Sequence, residues 1–338
     1  MWVPSRLGVD AVTITELTPP SGTGYSSETL LFTAEFDGET RRFVARLKPT
    51  RPGVFPEYDI DLQYDVMAAL AAKTAIPVPE MLWREPDPTV LDTPFFVMAH
   101  VPGRVPSDNP PYTLEGWILD ETEERRRTMH TSALETMARI HQLDPYDVLG
   151  DVTAKLRHGL DDELAYYESF FEWAARGRPQ PVAEKAWEWL HANRPRGDQP
   201  LGLSWGDSRI SNMLFGDDLR PVAVLDWEMV SLNDPVMDLA WWLFLDRHFT
   251  EGMGVPQPSG FFDRATTIAR WEEHTGRAAD NVDWYEIYGG FRFAVVMMSL
   301  TRLFIADGIM PADTDFDRNN TVTQCLAPML GLPHPGEL

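Results

Sequence analysis

Residues 204–215, SWGDSRISNMLF, hold an acid, a base and an amide close together between short apolar runs. Asp207 is followed by Arg209 and then by Asn212, and the apolar residues 213–215 come directly after the amide. Short apolar runs that end in polar residues are typical of brief strands with functional side chains at their ends. The stretch therefore predicts a rigid loop, anchored by its apolar flanks, that presents polar groups for chemistry.

A second acid follows at the end of the apolar run VAVLD, where Asp226 stands. Phosphoryl transfer needs a carboxylate that orients the attacking hydroxyl and oxygen ligands for a magnesium ion that bridges the nucleotide phosphates. Asp207 can act as the base, and Asn212 and Asp226 can bind the metal through an amide oxygen and a carboxylate. The sequence predicts a site for ATP, with GTP as an alternative, and for Mg²⁺.

The composition limits the kind of partner. The chain has 338 residues and a formal net charge of -23, and this length favours about two domains or lobes. Nucleic acids bind to clustered Lys and Arg, so we expect no DNA or RNA partner. The acidity could help to recruit a cationic substrate, although carboxylates that only keep the surface solvated are the simpler explanation.

The cellular setting is read from three features. Cys325 is the only cysteine, which excludes an internal disulfide and fits a reducing compartment. The first ten residues, MWVPSRLGVD, lack the basic and then apolar pattern of a secretion signal. The longest apolar run, FAVVMMSL, is far shorter than the roughly 20 residues that a bilayer requires. We expect a cytoplasmic protein with no membrane partner, and the sequence leaves its oligomeric state open.

The first part of the chain predicts a small β-rich lobe. Residues 29–47 alternate around the turn DGET, which is the pattern of a β-hairpin. Residues 59–73 carry apolar side chains on one helical face, and the segment IPVPE then ends that helix. A further strand is expected in TPFFVMAHV. Residues 1–101 therefore predict a small lobe and linker, with antiparallel strands and one crossing helix.

The remaining residues, 102–338, predict a larger and mainly helical lobe that holds the two stretches with Asp207, Asn212 and Asp226. Amphipathic helices are expected at residues 134–143, 161–175, 182–192, 262–274 and 284–304. Brief strands are expected in LGLSWGD, NMLF and PVAVLDWE. The fold class is therefore α+β with two lobes, and a small ligand is expected to bind in the cleft between them.

The two motifs together resemble the aminoglycoside phosphotransferase and choline kinase-like family, whose members share the protein-kinase-like fold. The family's catalytic loop reads His-Gly-Asp, four residues, Asn, and its metal loop reads Ile-Asp-Trp-Glu, followed by Gly-Asp-Pro and Asp-Leu-Ala. The matching positions in this chain are Gly206, Asp207, Asn212, Asp226, Trp227, Glu228, Asp234, Pro235, Asp238, Leu239 and Ala240. Trp205 replaces the family's histidine, which generally supports the loop, so this departure concerns loop hydrogen bonding more than chemistry.

The resemblance, which extends over roughly residues 18–304, also implies where a nucleotide binds. The phosphate-covering loop falls on SGTGYSSET, and the linker that meets adenine falls on PFFVMAHVPGR. The nucleotide-binding candidates are Ser21, Gly22, Thr23, Gly24, Arg46, Met98, Ala99 and Val101. Arg46 stands where the family has a lysine that pairs with the phosphates, and Gln63 stands where that lysine's glutamate partner is expected. Arginine offers several donors but a different reach, so the exchange is not neutral.

The remaining polar residues allow more than one role. Arg209 could neutralise the transferred phosphate or could brace Asp207. His141 and Asp238 are interpreted as structural, and the aromatic segments as core. An arginine-containing third strand like ARLKP occurs in a branch of the family linked to acyl-CoA dehydrogenases, which favours a hydroxylated acyl or small-alcohol acceptor. An aromatic cage for a quaternary ammonium group is a further possibility.

The sequence thus predicts an ATP- and Mg²⁺-dependent phosphotransferase that acts on a hydroxyl group of a small molecule. The alternative is a catalytically weak nucleotide-binding pseudokinase with a regulatory role, favoured by Arg46, Gln63 and Trp205. A protein kinase is disfavoured because the interval between Asp226 and Asp234 is too short to present a peptide platform.

Overall fold

The small lobe is built on the predicted hairpin. The computed structural model describes residues 2–18, 28–197 and 200–338. Strands β2 (Glu28–Phe36) and β3 (Glu39–Leu47) pair antiparallel along their whole length. The turn residues Asp37 and Gly38 both have positive φ angles, the geometry whose twist matches that of the flanking strands. The hairpin prediction is confirmed.

Three further strands complete the sheet, in the order β1-β2-β3-β5-β4. They are β1 (Thr13–Thr18), β4 (Met81–Glu85) and β5 (Phe95–Ala99), and the last confirms the strand expected in TPFFVMAHV. A short helix, α1 (Trp2–Leu7), lies against one face of the sheet, where Trp2 contacts Phe95. This lobe therefore contains a second helix besides the predicted crossing helix. Six residues are too few to show a helical period in the sequence.

The crossing helix, α2 (Ile60–Lys73), ties the small lobe to the rest of the protein. Asp59 caps its N-terminus, where the Asp59 side chain accepts a hydrogen bond of 2.8 Å from the backbone N–H of Leu62. Its buried residues Val66, Met67 and Leu70 belong to the core that continues into the larger lobe. The predicted apolar face of this helix is confirmed.

The larger lobe is mainly helical, as predicted. Its helices are α3 (Trp117–Asp120), α4 (Glu123–His141), α5 (Pro145–Leu149), α6 (Gly159–Ala175), α7 (Pro181–Ala192), α8 (Val236–Phe249), α9 (Arg264–Thr275), α10 (Val282–Ala306) and α11 (Thr321–Met329). Two short antiparallel pairs carry the site, namely β6 (Gly202–Ser204) with β9 (Ser231–Asn233) and β7 (Met213–Phe215) with β8 (Pro221–Val224).

The longest helix, α10, is long and apolar enough to cross a bilayer by length and composition alone, and 56% of its apolar window is buried. It packs against α6, α7, α8 and α11. Arg292, near its middle, has 0% exposure. Packing against these helices accounts for its apolar residues.

The two lobes meet through the segment between β3 and α2. Phe55 of this segment belongs to the core of the larger lobe, and its ring centroid lies 5.6 Å from that of Phe170 on α6. The sheet of the small lobe ends at Ala99, and residue 104 already pairs with Phe215 of the catalytic region. The small lobe therefore joins the larger lobe beside the loops that carry the predicted site residues, while the division of the chain at residue 101 stays a prediction.

Candidate active site

Asp238 organises the backbone of the catalytic loop. This residue of α8 has 0% exposure. Its Oδ1 accepts hydrogen bonds from Ser204 Oγ at 2.7 Å and Gly206 N at 2.9 Å, and its Oδ2 accepts from Trp205 N at 2.6 Å. His141 Nε2 adds a bond of 3.0 Å to Oδ2. Because these donors come from the loop and from α4, Asp238 and His141 brace the site, as their structural interpretation predicted.

Gly206 fixes the turn that precedes the candidate base. Its φ angle is +94°, a region that residues with a Cβ rarely adopt. A Cβ added there would lie 2.2 Å from the carbonyl oxygen of Met229. The catalytic loop can therefore approach the segment after the metal loop only because this position is glycine.

Asp207, the predicted base, is buried and its carboxylate is held by three donors. Trp241 Nε1 donates to Oδ1 at 2.9 Å, while Asn212 Nδ2 and Arg209 Nε donate to Oδ2 at 2.8 Å and 3.1 Å. These donors come from α8 and from the loop itself. The carboxylate is thereby fixed in one orientation, which a general base needs.

Arg209 braces Asp207, the second of its two predicted roles, in this structure. Its Nη1 forms an ion pair with Asp108, which lies in the segment that follows the linker between the lobes. Asp108 also accepts a hydrogen bond from Ser211 Oγ. Burial opposes the charge of Arg209, but Asp108 and then Asp207 outweigh it and raise the pKa of the guanidinium.

A small recess lies beside Arg209, between the catalytic loop and one face of α8. Its lining includes Tyr112, Trp242 and Asp246. Burial raises the pKa of Asp246 from 3.8 to about 8, because a charged carboxylate is disfavoured among apolar side chains. The carboxyl group on this wall of the recess therefore binds a proton more tightly than an exposed aspartate does.

Trp205 stands where the resembling family has a supporting histidine, and its indole also forms hydrogen bonds that support the catalytic loop. Its Nε1 donates to the carbonyl oxygens of Leu225 at 2.9 Å and Asp226 at 3.1 Å. The indole thus joins the catalytic loop to the metal loop. The catalytic loop is therefore supported by hydrogen bonds even though tryptophan replaces histidine at this position.

The predicted metal residues lie at one end of the β7–β8 hairpin. Leu225 N donates to the carbonyl oxygen of Asn212 at 2.8 Å, which brings Asp226 beside the catalytic loop. The amide nitrogen of Asn212 faces Asp207, so its amide oxygen is directed elsewhere. Asp226 has a φ angle of +60°, an uncommon conformation that clusters at functional sites.

Arg46 pairs with this candidate metal ligand. Its Nη2 lies 3.3 Å from Asp226 Oδ1. Burial raises the pKa of Asp226, and Arg46 opposes that rise. Gln63, the substitute for the usual glutamate partner, is buried in α2. The guanidinium of Arg46 on β3 therefore points to the metal loop in this structure.

The other nucleotide candidates fall into two groups. Ser21, Gly22, Thr23 and Gly24 lie outside the described residues. Met98 and Ala99 end β5, and the N–H of Ala99 donates to the carbonyl oxygen of Glu80 at 2.9 Å. Val101 follows the strand and is half-buried. An adenine ring could therefore use the N–H of Ala99 only by displacing Glu80.

Four residues of this neighbourhood were not found from the sequence, namely Asp108, Trp241, Arg292 and Tyr58. Burial raises the pKa of Tyr58 to about 12, the N–H of Phe55 opposes the rise, and nearby Glu228 and Asp226 add to it. Tyr58, in the segment between β3 and α2, therefore lies close enough to the metal loop for the two carboxylates there to influence its pKa. Asp108, Arg292 and Tyr58 stand in no motif. Trp241 directly follows Asp-Leu-Ala, but its aromatic segment is interpreted as core, so the sequence does not distinguish it from other packed residues.

The model of the phosphotransferase enzyme family, APH, matches residues 18–275. The chain belongs to this phosphotransferase family. The resemblance seen in the sequence is thereby confirmed.

Curated relatives of this phosphotransferase are longer proteins. It is 24% identical over 294 residues to "Probable acyl-CoA dehydrogenase IBR3" of Arabidopsis thaliana, covering 81% of this chain and 35% of that protein. It is 30% identical over 203 residues to acyl-CoA dehydrogenase family member 11 of Homo sapiens, covering 59% of this chain and 24% of that protein. The chain spans about a third or less of these relatives.

Solved structures show the same fold. A Ralstonia eutropha protein assigned to the aminoglycoside phosphotransferases matches with a TM-score of 0.71 and 22% identity, covering 97% of this chain and 94% of that one. Aminoglycoside phosphotransferase APH(4)-Ia, in a complex with ADP and hygromycin B, matches with a TM-score of 0.59 and 14% identity, covering 98% and 97%. The predicted two-lobed, protein-kinase-like α+β fold is confirmed.

Proposed function

We propose that this phosphotransferase transfers the γ-phosphoryl group of ATP to a hydroxyl group of a small molecule, with Mg²⁺ as cofactor. The carboxylate of Asp207, fixed beside the metal loop, is the observation that carries the proposal. Trp241 and Asn212 orient its two oxygens at 2.9 Å and 2.8 Å. A carboxylate so oriented next to oxygen ligands for a cation is the arrangement that phosphoryl transfer requires.

Nucleotide and acceptor binding are supported by structural neighbours. APH(4)-Ia has been crystallised with ADP or AMP-PNP together with hygromycin B. This supports a nucleotide, ATP or GTP, in the cleft of the present chain and a small hydroxylated molecule as acceptor. Ser21, Gly22, Thr23, Gly24, Arg46, Met98, Ala99 and Val101 are the proposed nucleotide contacts.

The metal proposal fits the chemistry of the residues present. Among the described residues, no group of three or more His, Cys, Asp or Glu could hold a metal. Mg²⁺ is usually bound through one or two protein oxygens, with waters and substrate phosphates as the other ligands. Asn212 and Asp226 match this pattern, and a bound Mg²⁺ would neutralise charge on the phosphates.

The residues of this chain would act as follows. Asp207 accepts the proton of the acceptor hydroxyl while the hydroxyl oxygen bonds to the γ-phosphorus. The bond between that phosphorus and the bridging oxygen breaks, and ADP leaves. Arg209, paired with Asp207 and Asp108, contributes positive charge beside the reacting groups. Arg46, now on Asp226, can turn to the nucleotide phosphates.

Several broader assignments belong to the same proposal. Residues 1–101 would bind the nucleotide, and residues 102–338 would carry the chemistry and the acceptor pocket. The protein would act in the cytoplasm, without a nucleic-acid or membrane partner. Because curated relatives are named as acyl-CoA dehydrogenases, hydroxyacyl compounds belong among the acceptors to test.

A regulatory pseudokinase is the second candidate function. The Arg46–Asp226 ion pair favours it, because it occupies an oxygen of the candidate metal ligand at 3.3 Å. An active phosphotransferase is favoured because the motif positions for the base and the two metal ligands hold Asp207, Asn212 and Asp226.

The test compares the protein with Asp207→Asn for Mg²⁺-dependent turnover of ATP against aminoglycosides, macrolides, amino alcohols, sugars and hydroxyacyl compounds. Loss of a general base is expected to lower kcat by about 10²- to 10⁴-fold. Asp226→Ala and chelation of Mg²⁺ are each expected to abolish turnover. The control Asp313→Asn, which changes an exposed acid, should retain full activity.

Undiminished turnover in Asp207→Asn would overturn the assignment of the base. Tight nucleotide binding with no phosphorylated product in any acceptor class would favour the pseudokinase instead.

A further inference from the structure

Arg292 is a buried cation close to the catalytic loop. It lies on α10 with 0% exposure, and its Nη2 donates to the carbonyl oxygen of Gly206 at 3.0 Å. Burying a guanidinium costs free energy unless the charge is paired and hydrogen bonded. No carboxylate lies within ion-pair distance of it among residues 2–18, 28–197 and 200–338. Burial opposes the charge, but nearby Tyr167 and then Glu163, a buried carboxylate beyond that distance, raise the pKa of the guanidinium. Within the described residues, its Nε and Nη1 have no hydrogen-bond partner, so polar groups compensate the charge only in part.

Aromatic rings surround the guanidinium. Its central carbon lies 4.8 Å from the ring centroid of Trp241, 5.1 Å from that of Tyr167 and 5.7 Å from that of Tyr288. A cation within about 6 Å of an aromatic ring centroid is attracted by the face of the ring. The side chain thus links three helices, α6, α8 and α10, to the loop.

Two of these contacts lead directly to the candidate base. Trp241, on which the guanidinium lies, donates its indole N–H to Asp207 Oδ1 at 2.9 Å. The carbonyl of Gly206 belongs to the peptide bond that joins Gly206 to Asp207. Arg292 therefore touches both the group that orients the carboxylate and the backbone that carries it, without touching the carboxylate itself.

We propose that Arg292 is a positioning residue for Asp207, acting through the indole of Trp241 and the carbonyl of Gly206. This inference rests on the proposed function, in which Asp207 is the base. An apolar side chain could fill the same volume in α10 without the cost of burying a charge. The structure instead holds a cation here, in contact with the indole that donates to Asp207 and with the carbonyl of Gly206.

The same helix supplies a matched control. Arg302 donates through Nη1 to the carbonyl oxygen of Trp173 at 3.0 Å, and its guanidinium lies 4.1 Å from the centroid of that ring. It therefore combines a carbonyl bond with an aromatic contact, as Arg292 does. Trp173 lies on α6, and Ser299, which accepts a hydrogen bond of 3.2 Å from Arg302 Nη2, lies on α10. Neither residue belongs to the catalytic loop.

The first measurement follows the indole N–H signal of Trp241 by NMR in protein labelled with ¹⁵N-tryptophan. The signal is assigned by its loss in Trp241→Phe. We expect it to move in Asp207→Asn, which changes its acceptor, and in Arg292→Met, and to stay unchanged in Arg302→Met. If Arg292→Met does not fold, Arg292→Lys gives the same comparison, because lysine lacks the planar group that lies on the indole.

An unmoved Trp241 signal in folded Arg292→Met, or in the lysine variant where the methionine variant does not fold, would overturn the proposal. This measurement needs no acceptor and no turnover. Failure of the proposed function would appear separately, as absence of product in the wild-type protein with an intact response of the Trp241 signal.

The second measurement separates positioning from general destabilisation. Small displacements at a reacting centre cost up to about 100-fold in rate, so kcat of Arg292→Met should fall by about 10- to 100-fold with KM for ATP unchanged. Arg292→Lys should recover part of kcat. In the double variant with Trp241→Phe, the two losses should be less than additive, because both act on one hydrogen bond. Additive losses, or a change confined to KM, would contradict the proposal.

Discussion

At the scale of the single residue, the site depends on a backbone conformation as much as on its side chains. Gly206 turns the chain before Asp207 and also receives the Arg292 hydrogen bond. Its φ angle of +94° and its closeness to Met229 leave no space for a larger residue. Its carbonyl accepts from Arg292, its N–H donates to Asp238, and its lack of a side chain allows the close approach to Met229.

Gly206→Ala is expected to lower the free energy of unfolding by more than 1–3 kcal/mol, about the cost of a strained φ angle alone, and to lower kcat strongly. The added Cβ would lie 2.2 Å from a backbone oxygen, so the loop or the segment at Met229 must move. Urea denaturation and steady-state turnover provide the measurements.

Gly308→Ala is the matched control for this prediction. Gly308 also has a positive φ angle, +72°, but a Cβ there meets nothing within 4 Å. It should lose only about 1–2 kcal/mol, as expected for the φ angle, with full activity. Equal losses in the two variants would contradict the steric argument.

At the scale of the element, α8 carries Asp246, a carboxyl group that lines the recess beside Arg209. Asp246 has a folded-state pKa of about 8, raised from 3.8 first by burial and then by nearby Glu286. The folded state therefore binds this proton more tightly than the unfolded chain does. Its contribution to stability is full below pH about 4 and is lost as pH rises to about 8.

Asp246→Asn removes this titration while leaving a neutral side chain of similar size. The melting temperature of the variant, minus that of the wild type, should increase as pH rises from about 5 to about 8. Calorimetry across that range provides the measurement. The exposed acid in Asp313→Asn should give a constant difference, and a constant difference for Asp246→Asn would refute the buried-acid interpretation.

Elements also mark the limit of what the sequence could predict. The hairpin of β2 and β3 and the face of α2 were predictable, because alternation and helical period are local signals. β1 escaped because its residues are exposed on both faces, and α1 because it is short. Asp207, Asn212 and Asp226 stand in motifs. Trp241 and Arg292 gain their roles only from packing between distant segments, which no local pattern encodes.

At the scale of the whole molecule, the segment between β3 and α2 joins the lobes. Phe55 is 8% exposed and packs on Phe170 and Tyr58. Its side chain comes from the small-lobe end of the chain and is buried in the larger lobe. The orientation of the small lobe therefore depends on contacts outside its own sheet.

Phe55→Ala is expected to lower the free energy of unfolding by about 3 kcal/mol, since truncating a buried phenylalanine loses apolar contacts and leaves a cavity. Chemical denaturation provides the measurement. Leu91→Ala, at a position 43% exposed in the small lobe, should change stability by less than about 0.5 kcal/mol. A comparably small loss at Phe55 would mean that this segment does not tie the lobes together.

The bonds that brace the catalytic loop also have a consequence for the order of folding. Asp238 meets His141 from 97 residues away, and Arg46 meets Asp226 from 180 residues away. Contacts between such distant positions close long loops and lose much chain entropy before they are formed. On this entropy cost alone, we expect these two contacts to form late as the chain folds. A ribosome-bound chain that stops before α10 can hold the complete loop sequence and still lack the arginine that the finished loop contacts.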